Sequence, residues 1–108
     1  MARVLAVVSD LMLGSRVSES LGSAGHEVGV VASLPEVPPA GVELVVADLD
    51  VADPEAVAGL GPPVLGFYSH VEVEMRRRAE AAGVDLVVPR SRMARELPEL
   101  VERLLSGG

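Results

Sequence analysis

Side chains that can bind metal ions or phosphate groups follow several short apolar runs of this sequence. They are Ser9 and Asp10, then Asp48 and Asp50, then Ser69 and His70, and finally Arg90, Ser91 and Arg92. Carboxylate oxygens are the ligands that Mg²⁺ prefers, so Asp10, Asp48 and Asp50 would together suit that cation. Each residue also has a simpler interpretation, because Asp10 and Ser69 are typical helix N-caps and Asp48 can simply end a strand.

Such a site requires that the apolar runs be parallel strands of one sheet, whose carboxyl ends meet at one edge. Residues 4–8, 28–32, 44–47, 64–68 and 86–88 are aliphatic runs without polar alternation. That pattern is typical of strands covered on both faces. The sequence therefore predicts five strands, each ending close to the residues that could do chemistry.

The segments between these runs predict helices, with one exception. Residues 11–24 place Leu13, Val17, Leu21 and Ala24 on one helical face, and Gly25 ends the helix. Further helices are predicted over 53–60, 69–83 and 91–105, with Glu74 pairing to Arg78 and with a kink at Pro98. Residues 33–42 are too short and too rich in proline for a full crossover helix. His26, beside a turn, is expected at the surface.

Alternation of strands and helices with right-handed crossovers predicts an α/β fold with a doubly wound parallel sheet. Five strands favour the flavodoxin-like order 2-1-3-4-5, here with a shortened or missing second helix. The length of 108 residues predicts one domain over 1–108, with an ordered core of about 2–105.

Composition excludes several classes of function. The net charge is −7, with 16 acidic residues against 9 arginines and no lysine, which disfavours nucleic acid and anionic membranes as partners. The absence of cysteine excludes disulfides and thiolate metal sites. The sequence also lacks a signal-peptide pattern and a run long enough to span a membrane. These observations predict a soluble, cytoplasmic domain.

Residues 43–50, which read Glu-Leu-Val-Val-Ala-Asp-Leu-Asp, resemble the third strand of bacterial response-regulator receiver domains. The resemblance extends to residues 3–7, 63–65 and 81–89, and so covers most of the chain. It implies that Asp48 matches the aspartate that accepts a phosphoryl group, and that Asp10, with Ser9, matches the acidic pair that holds Mg²⁺. Ser69 or Tyr68 matches the Ser/Thr position that senses the phosphoryl group.

The sequence departs from this family at two positions that carry its chemistry. The family's fifth strand ends in a lysine that contacts the phosphoryl oxygens, but here Pro89 and Arg90 stand in its place. Arginine is not an isosteric replacement for lysine. The acidic pair has become Ser9 and Asp10. These departures predict a receiver-like domain with a degenerate phosphoacceptor site.

Three hypotheses follow. The leading one is a non-catalytic regulatory module that binds a protein partner or a second copy through the last helix and the edge of the fifth strand. The second is an active phosphoacceptor at Asp48, with Mg²⁺ held by Asp10, Asp48 and Asp50. The third is a small-molecule or anion binder that uses Ser69, His70, Arg90 and Ser91. An enzyme of another kind is disfavoured because no nucleophile–base pair is visible in the sequence.

Overall fold

The computed structural model describes residues 2–37, 39–69 and 73–107. Strands and helices alternate along the chain in the order β1 (Arg3–Val7), α1 (Leu11–Ser23), β2 (Glu27–Val31), β3 (Leu44–Asp48), α2 (Pro54–Ala58), β4 (Val64–Tyr68), α3 (Val73–Ala82), β5 (Leu86–Pro89) and α4 (Arg90–Leu105). Each of the five predicted strands is present. Within the described ranges, no helix is long and apolar enough to cross a membrane.

The strands form one parallel sheet in the order β2-β1-β3-β4-β5. The predicted flavodoxin-like order is therefore confirmed. Because every strand runs in the same direction, their carboxyl ends meet at one edge, which is called here the strand-end edge. This edge carries the residues that the sequence analysis singled out.

Two apolar layers cover the sheet, one on each face. On one face, α1 and α4 contribute Leu13, Leu21 and Met93, and on the other face α2 and α3 contribute Val57 and Ala79. All five residues of β3 are buried between these layers. Full burial of an aliphatic side chain stabilises the fold by about 1.5–3 kcal/mol. Because both faces of a central strand are covered, every position of such a strand favours an aliphatic residue, which explains the uninterrupted runs.

The connection from β2 to β3 contains no helix in its described residues, 32–37 and 39–43. This agrees with the prediction of a shortened or missing second helix. Consequently β2 is the least covered strand, with Glu27, Gly29 and Val30 exposed. By contrast, β3 and β4 are buried along their whole length.

Two details of the helices differ from the sequence prediction. Ala24 is exposed rather than buried, because α1 ends at Ser23 and the chain turns at Gly25, whose φ is 93°. Arg78 does not pair with Glu74 but bonds Glu55 at 2.9 Å and also contacts Asp53, which ties α3 to α2. The predicted kink in α4 is present, since Glu96, two residues before Pro98, has a non-helical φ of −119°.

The prediction that His26 lies at the surface is wrong. His26 is 7% exposed, and its Nδ1 accepts a hydrogen bond of 3.1 Å from the backbone N–H of Ala2. Its Nε2 lies 3.3 Å from a carboxylate oxygen of Glu102 in α4. The imidazole therefore joins the start of β1 to the last helix, and it is buried because those two elements cover it.

Packing around Gly66 of β4 leaves no room for a side chain. A Cβ at this position would lie 2.8 Å from Leu49 Cδ1 and 3.1 Å from Val84 Cγ1. We expect Gly66→Ala to lower the free energy of unfolding by about 1–3 kcal/mol through overpacking, measured by urea denaturation. The matched control is Gly22→Ala in α1, where a Cβ would have no neighbour within 4 Å. The control should raise stability by about 0.5–1 kcal/mol, and equal midpoints for the two variants would contradict the packing argument.

Candidate functional site

The strand-end edge brings together residues from four separate segments of the chain. Asp10 follows β1, Asp48 ends β3, Ser69 follows β4 and Arg90 follows β5. His70 lies outside the described residues, as do residues 71 and 72, which the predicted helix start at Ser69 would include. The site is therefore built from Asp10, Asp48, Asp50, Ser69 and Arg90, with Ser91 exposed on the first turn of α4.

Asp10 has two roles at this edge. Its Oδ1 accepts hydrogen bonds from the backbone N–H groups of Met12 at 2.9 Å and Leu13 at 3.1 Å, which caps α1. Its Oδ2 lies 3.3 Å from Nη2 of Arg90. The hydrogen bond from Leu13 lowers the pKa of Asp10 most, and the bond from Arg90 lowers it further. Asp10 is thus held as a carboxylate by a helix start and an arginine.

Asp48 and Asp50 link the ends of β3 and β4. Asp48 Oδ1 accepts a hydrogen bond of 2.9 Å from the N–H of Asp50, and Asp50 Oδ2 accepts one of 3.0 Å from the N–H of Ser69. Both carboxylates therefore fix backbone groups at the point where the strands end. The predicted proximity of Asp48, Asp50 and Ser69 is present in the structure as this chain of hydrogen bonds.

Asp48 is buried, with 6% of the residue exposed. Desolvation is the main cause that raises its pKa, and the negative charges of Asp50 and Asp10 raise it further. The Asp50 amide and the positive charge of Arg90 act in the opposite direction. The site therefore holds one carboxyl whose pKa is lowered, Asp10, and one whose pKa is raised, Asp48.

Arg90 reaches this site from the far end of the chain. Pro89 ends β5 and is the N-cap residue of α4, so Arg90 is the first helical residue. From there its guanidinium contacts Asp10, which lies 80 residues earlier in the sequence. This contact connects the start of α4 with the start of α1.

The described residues contain no group of three or more His, Cys, Asp or Glu side chains placed to hold a metal ion. Oxygens of Asp10, Asp48 and Asp50 instead accept bonds from backbone amides, and Arg90 takes the second oxygen of Asp10. A guanidinium carries donors only and competes with a cation for the same oxygen. As arranged, these residues do not fit Mg²⁺, and the magnesium site stays a prediction.

Leu11 and Met12 are residues that the sequence analysis did not select. They are 87% and 79% exposed on the first turn of α1, directly after Asp10. The spacing of Leu13, Val17 and Leu21 defines the buried face of this helix, and that spacing places Leu11 and Met12 on other faces. The sequence feature that could have revealed them is the presence of two apolar residues off the core face of a predicted amphipathic helix. They form an apolar rim beside the site.

No protein-family model and no curated protein matches this sequence. Solved structures do match it along nearly its whole length. The non-phosphorylated HemR receiver domain from Leptospira biflexa is 23% identical with a TM-score of 0.81, covering 98% of this chain and 95% of that one. A CheY-like response regulator receiver domain protein from Methanospirillum hungatei is 19% identical with a TM-score of 0.87, covering 99% and 95%.

An orphan response regulator of H. pylori, HP1043, is 19% identical with a TM-score of 0.78 and covers 96% of each chain. These likenesses define the fold. The chain has the fold of response-regulator receiver domains, and the resemblance predicted from the sequence is confirmed at that level.

Asp48→Asn should raise the free energy of unfolding at pH 7. Asparagine keeps an oxygen for the Asp50 amide but brings no charge to be desolvated at a site where burial raises the pKa of Asp48. A raised pKa means that the native state binds the proton more tightly than the unfolded chain does. The contribution of protonated Asp48 to the free energy of unfolding is therefore fully present below the unfolded pKa of about 3.9. It is lost as the pH rises through the folded pKa.

The advantage of Asp48→Asn should therefore shrink towards pH 4, which urea denaturation at a series of pH values would measure. Glu99→Gln, at an exposed position of α4, is the control and should change stability little at any pH. An advantage of Asp48→Asn that persists undiminished at pH 4 would contradict the assignment of desolvation as the cause.

Proposed function

We propose that this chain is a cytoplasmic, receiver-like signalling module that acts without catalysis, by binding a protein partner. The observation that carries the proposal is the contact between Arg90 and Asp10, 3.3 Å apart. It places an arginine on the carboxylate that the family resemblance assigns to Mg²⁺. The receiver fold supports the class of module, and this contact supports its degenerate chemistry.

Phosphoryl transfer depends on positive charge placed around the transferred group, usually from a metal ion and a basic side chain. Here the sequence has no lysine, and the guanidinium at the end of β5 already pairs with Asp10. Arginine presents a planar fork of donors, whereas lysine presents a compact ammonium group, so the two do not substitute at such a position. These features weaken both metal binding and stabilisation of a phosphoryl group.

A protein is favoured as the partner by the surface around the site. Leu11 and Met12 are 87% and 79% exposed beside Asp10, and Val51 beyond β3 is 45% exposed. Exposed apolar residues grouped at one edge are typical of a protein-binding surface. The net charge of −7 opposes binding to nucleic acid. We expect the last helix and the edge of β5 to extend this surface.

A working phosphoacceptor is the second candidate, and the position of Asp48 favours it. Asp48 ends the central strand of a receiver fold. Its carboxylate accepts a hydrogen bond from the Asp50 amide, and the Asp50 carboxylate accepts one from the Ser69 amide. The Arg90–Asp10 pair is also exposed, with 42% and 46% of the side chains accessible, and exposed ion pairs are weak. A cation that displaced Arg90 would free Asp10 as a ligand, together with Asp48 and Asp50.

Amide NMR of the labelled protein separates these functions. The protein is titrated first with Mg²⁺ to millimolar concentration and then with beryllium fluoride, a mimic of the phosphoryl group. We expect no saturable shifts around Asp10, Asp48 and Ser69, because the carboxylates are held by protein donors. Saturable shifts at those amides would overturn the proposal in favour of the active phosphoacceptor.

Two variants test whether Arg90 is responsible. Arg90→Ala frees the second oxygen of Asp10 and should produce saturable Mg²⁺-dependent shifts at the Asp10 and Asp48 amides that the wild type lacks. Arg92→Ala removes an arginine that pairs with Glu96 and should stay as silent as the wild type. Equal silence of both variants would contradict the role given to Arg90. Inorganic phosphate without Mg²⁺ forms a third arm, and saturable shifts at Arg90 and Ser91 would favour the anion-binding hypothesis instead.

A further inference from the structure

Strand β2 presents an open edge of the sheet. Among the described residues, β2 pairs only with β1. Glu27 N–H donates to Ala2 O and Val8 N–H donates to Val31 O, each at 2.9 Å, so the backbone groups of Glu27 and Val31 point towards β1. Successive residues of a strand turn their backbone groups to opposite sides. The N–H and C=O groups of Val28 and Val30 therefore point away from the sheet.

In the part of the chain that the structure describes, β2 carries few of the usual protections of an edge strand beyond the charge of Glu27 at its start. Proteins block exposed edges with lysine, proline, bulges or a covering helix or loop. Residues 28–34 contain no charge and no proline, and Val30 is 43% exposed. The described parts of the segment from 32 to 43 form no helix over the strand. An uncharged, apolar edge of this kind is a template for pairing with another strand.

We infer that β2 pairs antiparallel with β2 of a second copy of this chain, with the two-fold axis at Gly29. In that register the two Gly29 residues face each other, and Val28 faces Val30 of the second copy. The two Val28–Val30 pairs form four backbone hydrogen bonds, because these residues carry the outward groups. The glycines then form the close, non-bonded pair, in which Cα atoms lie about 4.5 Å apart.

A second copy fits this edge better than an unrelated chain for two reasons. Residues 28–30 read Val-Gly-Val, which is the same in both directions about Gly29, so two identical strands complement each other. Chains of net charge −7 repel, and the uncharged run of residues 28–34 is where they can approach. Glu27, which pairs with Arg3 at 3.3 Å, would face Val31 of the second copy rather than a carboxylate.

Helix α1 supplies further contact beside this edge. A groove of about 440 Å³ runs between α1 and β2, lined in part by Gly14, Ser15, Ser18 and Val30. A two-fold axis perpendicular to the sheet places both α1 helices on the same side of the joint, and their small side chains allow close approach. This contact adds area to the strand pairing, since stable interfaces bury about 1,200–2,000 Å² in total.

This inference deepens the proposed function by naming a partner, and its use in signalling rests on that proposal. The hydrogen bonds of the strand pairing do not involve Asp48, Asp10 or Arg90, although Asp10 also lines the groove between α1 and β2. The two can therefore fail separately, because Arg90→Ala tests the strand-end site and substitutions at Gly29 test the edge.

Gly29→Glu is the decisive variant. A Cβ at Gly29 meets no atom within 4 Å and the residue is exposed, so the monomer should fold unchanged. In the dimer, two carboxylates would face each other across the axis. We expect the wild type to dimerise with rising concentration in sedimentation experiments, and Gly29→Glu to raise the dimer dissociation constant by about tenfold or more.

Opposite charges at position 29 test whether the two Gly29 residues face each other in the dimer. Gly29→Glu and Gly29→Arg chains should each be mainly monomeric alone, but a mixture of the two should form heterodimers. The control, Ala81→Glu, adds the same charge at an exposed position of α3 and should dimerise like the wild type. A wild type that stays monomeric at the highest accessible concentration, or a Gly29→Glu variant that dimerises equally well, would overturn the inference. So would a mixture that forms no heterodimer.

Discussion

Strand β3 lies between β1 and β4, and all five of its residues are buried. Its backbone groups have no access to water, so they must pair with both neighbouring strands, and its side chains require an apolar layer on each face. Helices α1 and α4 supply one layer, and α2 and α3 supply the other. The same burial places Asp48 at the end of a covered strand, where desolvation raises its pKa.

The parts of the fold that depend on local pattern were predictable from the sequence. Aliphatic runs predicted the strands, their alternation with helices predicted a doubly wound sheet, and the count of five strands favoured the order 2-1-3-4-5. Contacts between distant elements were not predictable, because they depend on how far a side chain reaches in the folded chain. Arg78 bonds Glu55 of α2 rather than Glu74 of its own helix, and His26 is buried by α4 and the start of β1. The strand-end residues were found, but the partner of Arg90 was not.

The two key carboxyls of the strand-end edge respond oppositely to the same surroundings. Asp10 is exposed and accepts bonds from a helix start and from Arg90, so its pKa is lowered, whereas Asp48 is buried and its pKa is raised. Arg90 favours the charged form of both groups. Because Arg90 begins α4, the charge balance of the site is tied to the position of that helix. Any partner that moves the start of α4 would change the electrostatics at Asp48 without touching it.

Helix α1 connects this site to the open edge of the sheet. Its first turn is capped by Asp10, which contacts Arg90. Further along the helix, Gly14 packs against Val30 of β2, so closely that a Cβ at Gly14 would lie 3.1 Å from Val30 Cγ1. The described residues between β2 and β3 form no helix, and α1 is the helix that packs on β2. A contact made at either place therefore acts on the same rigid helix. Pairing of two copies along β2 would restrict α1, and through Asp10 it would affect Arg90, which pairs with that carboxylate.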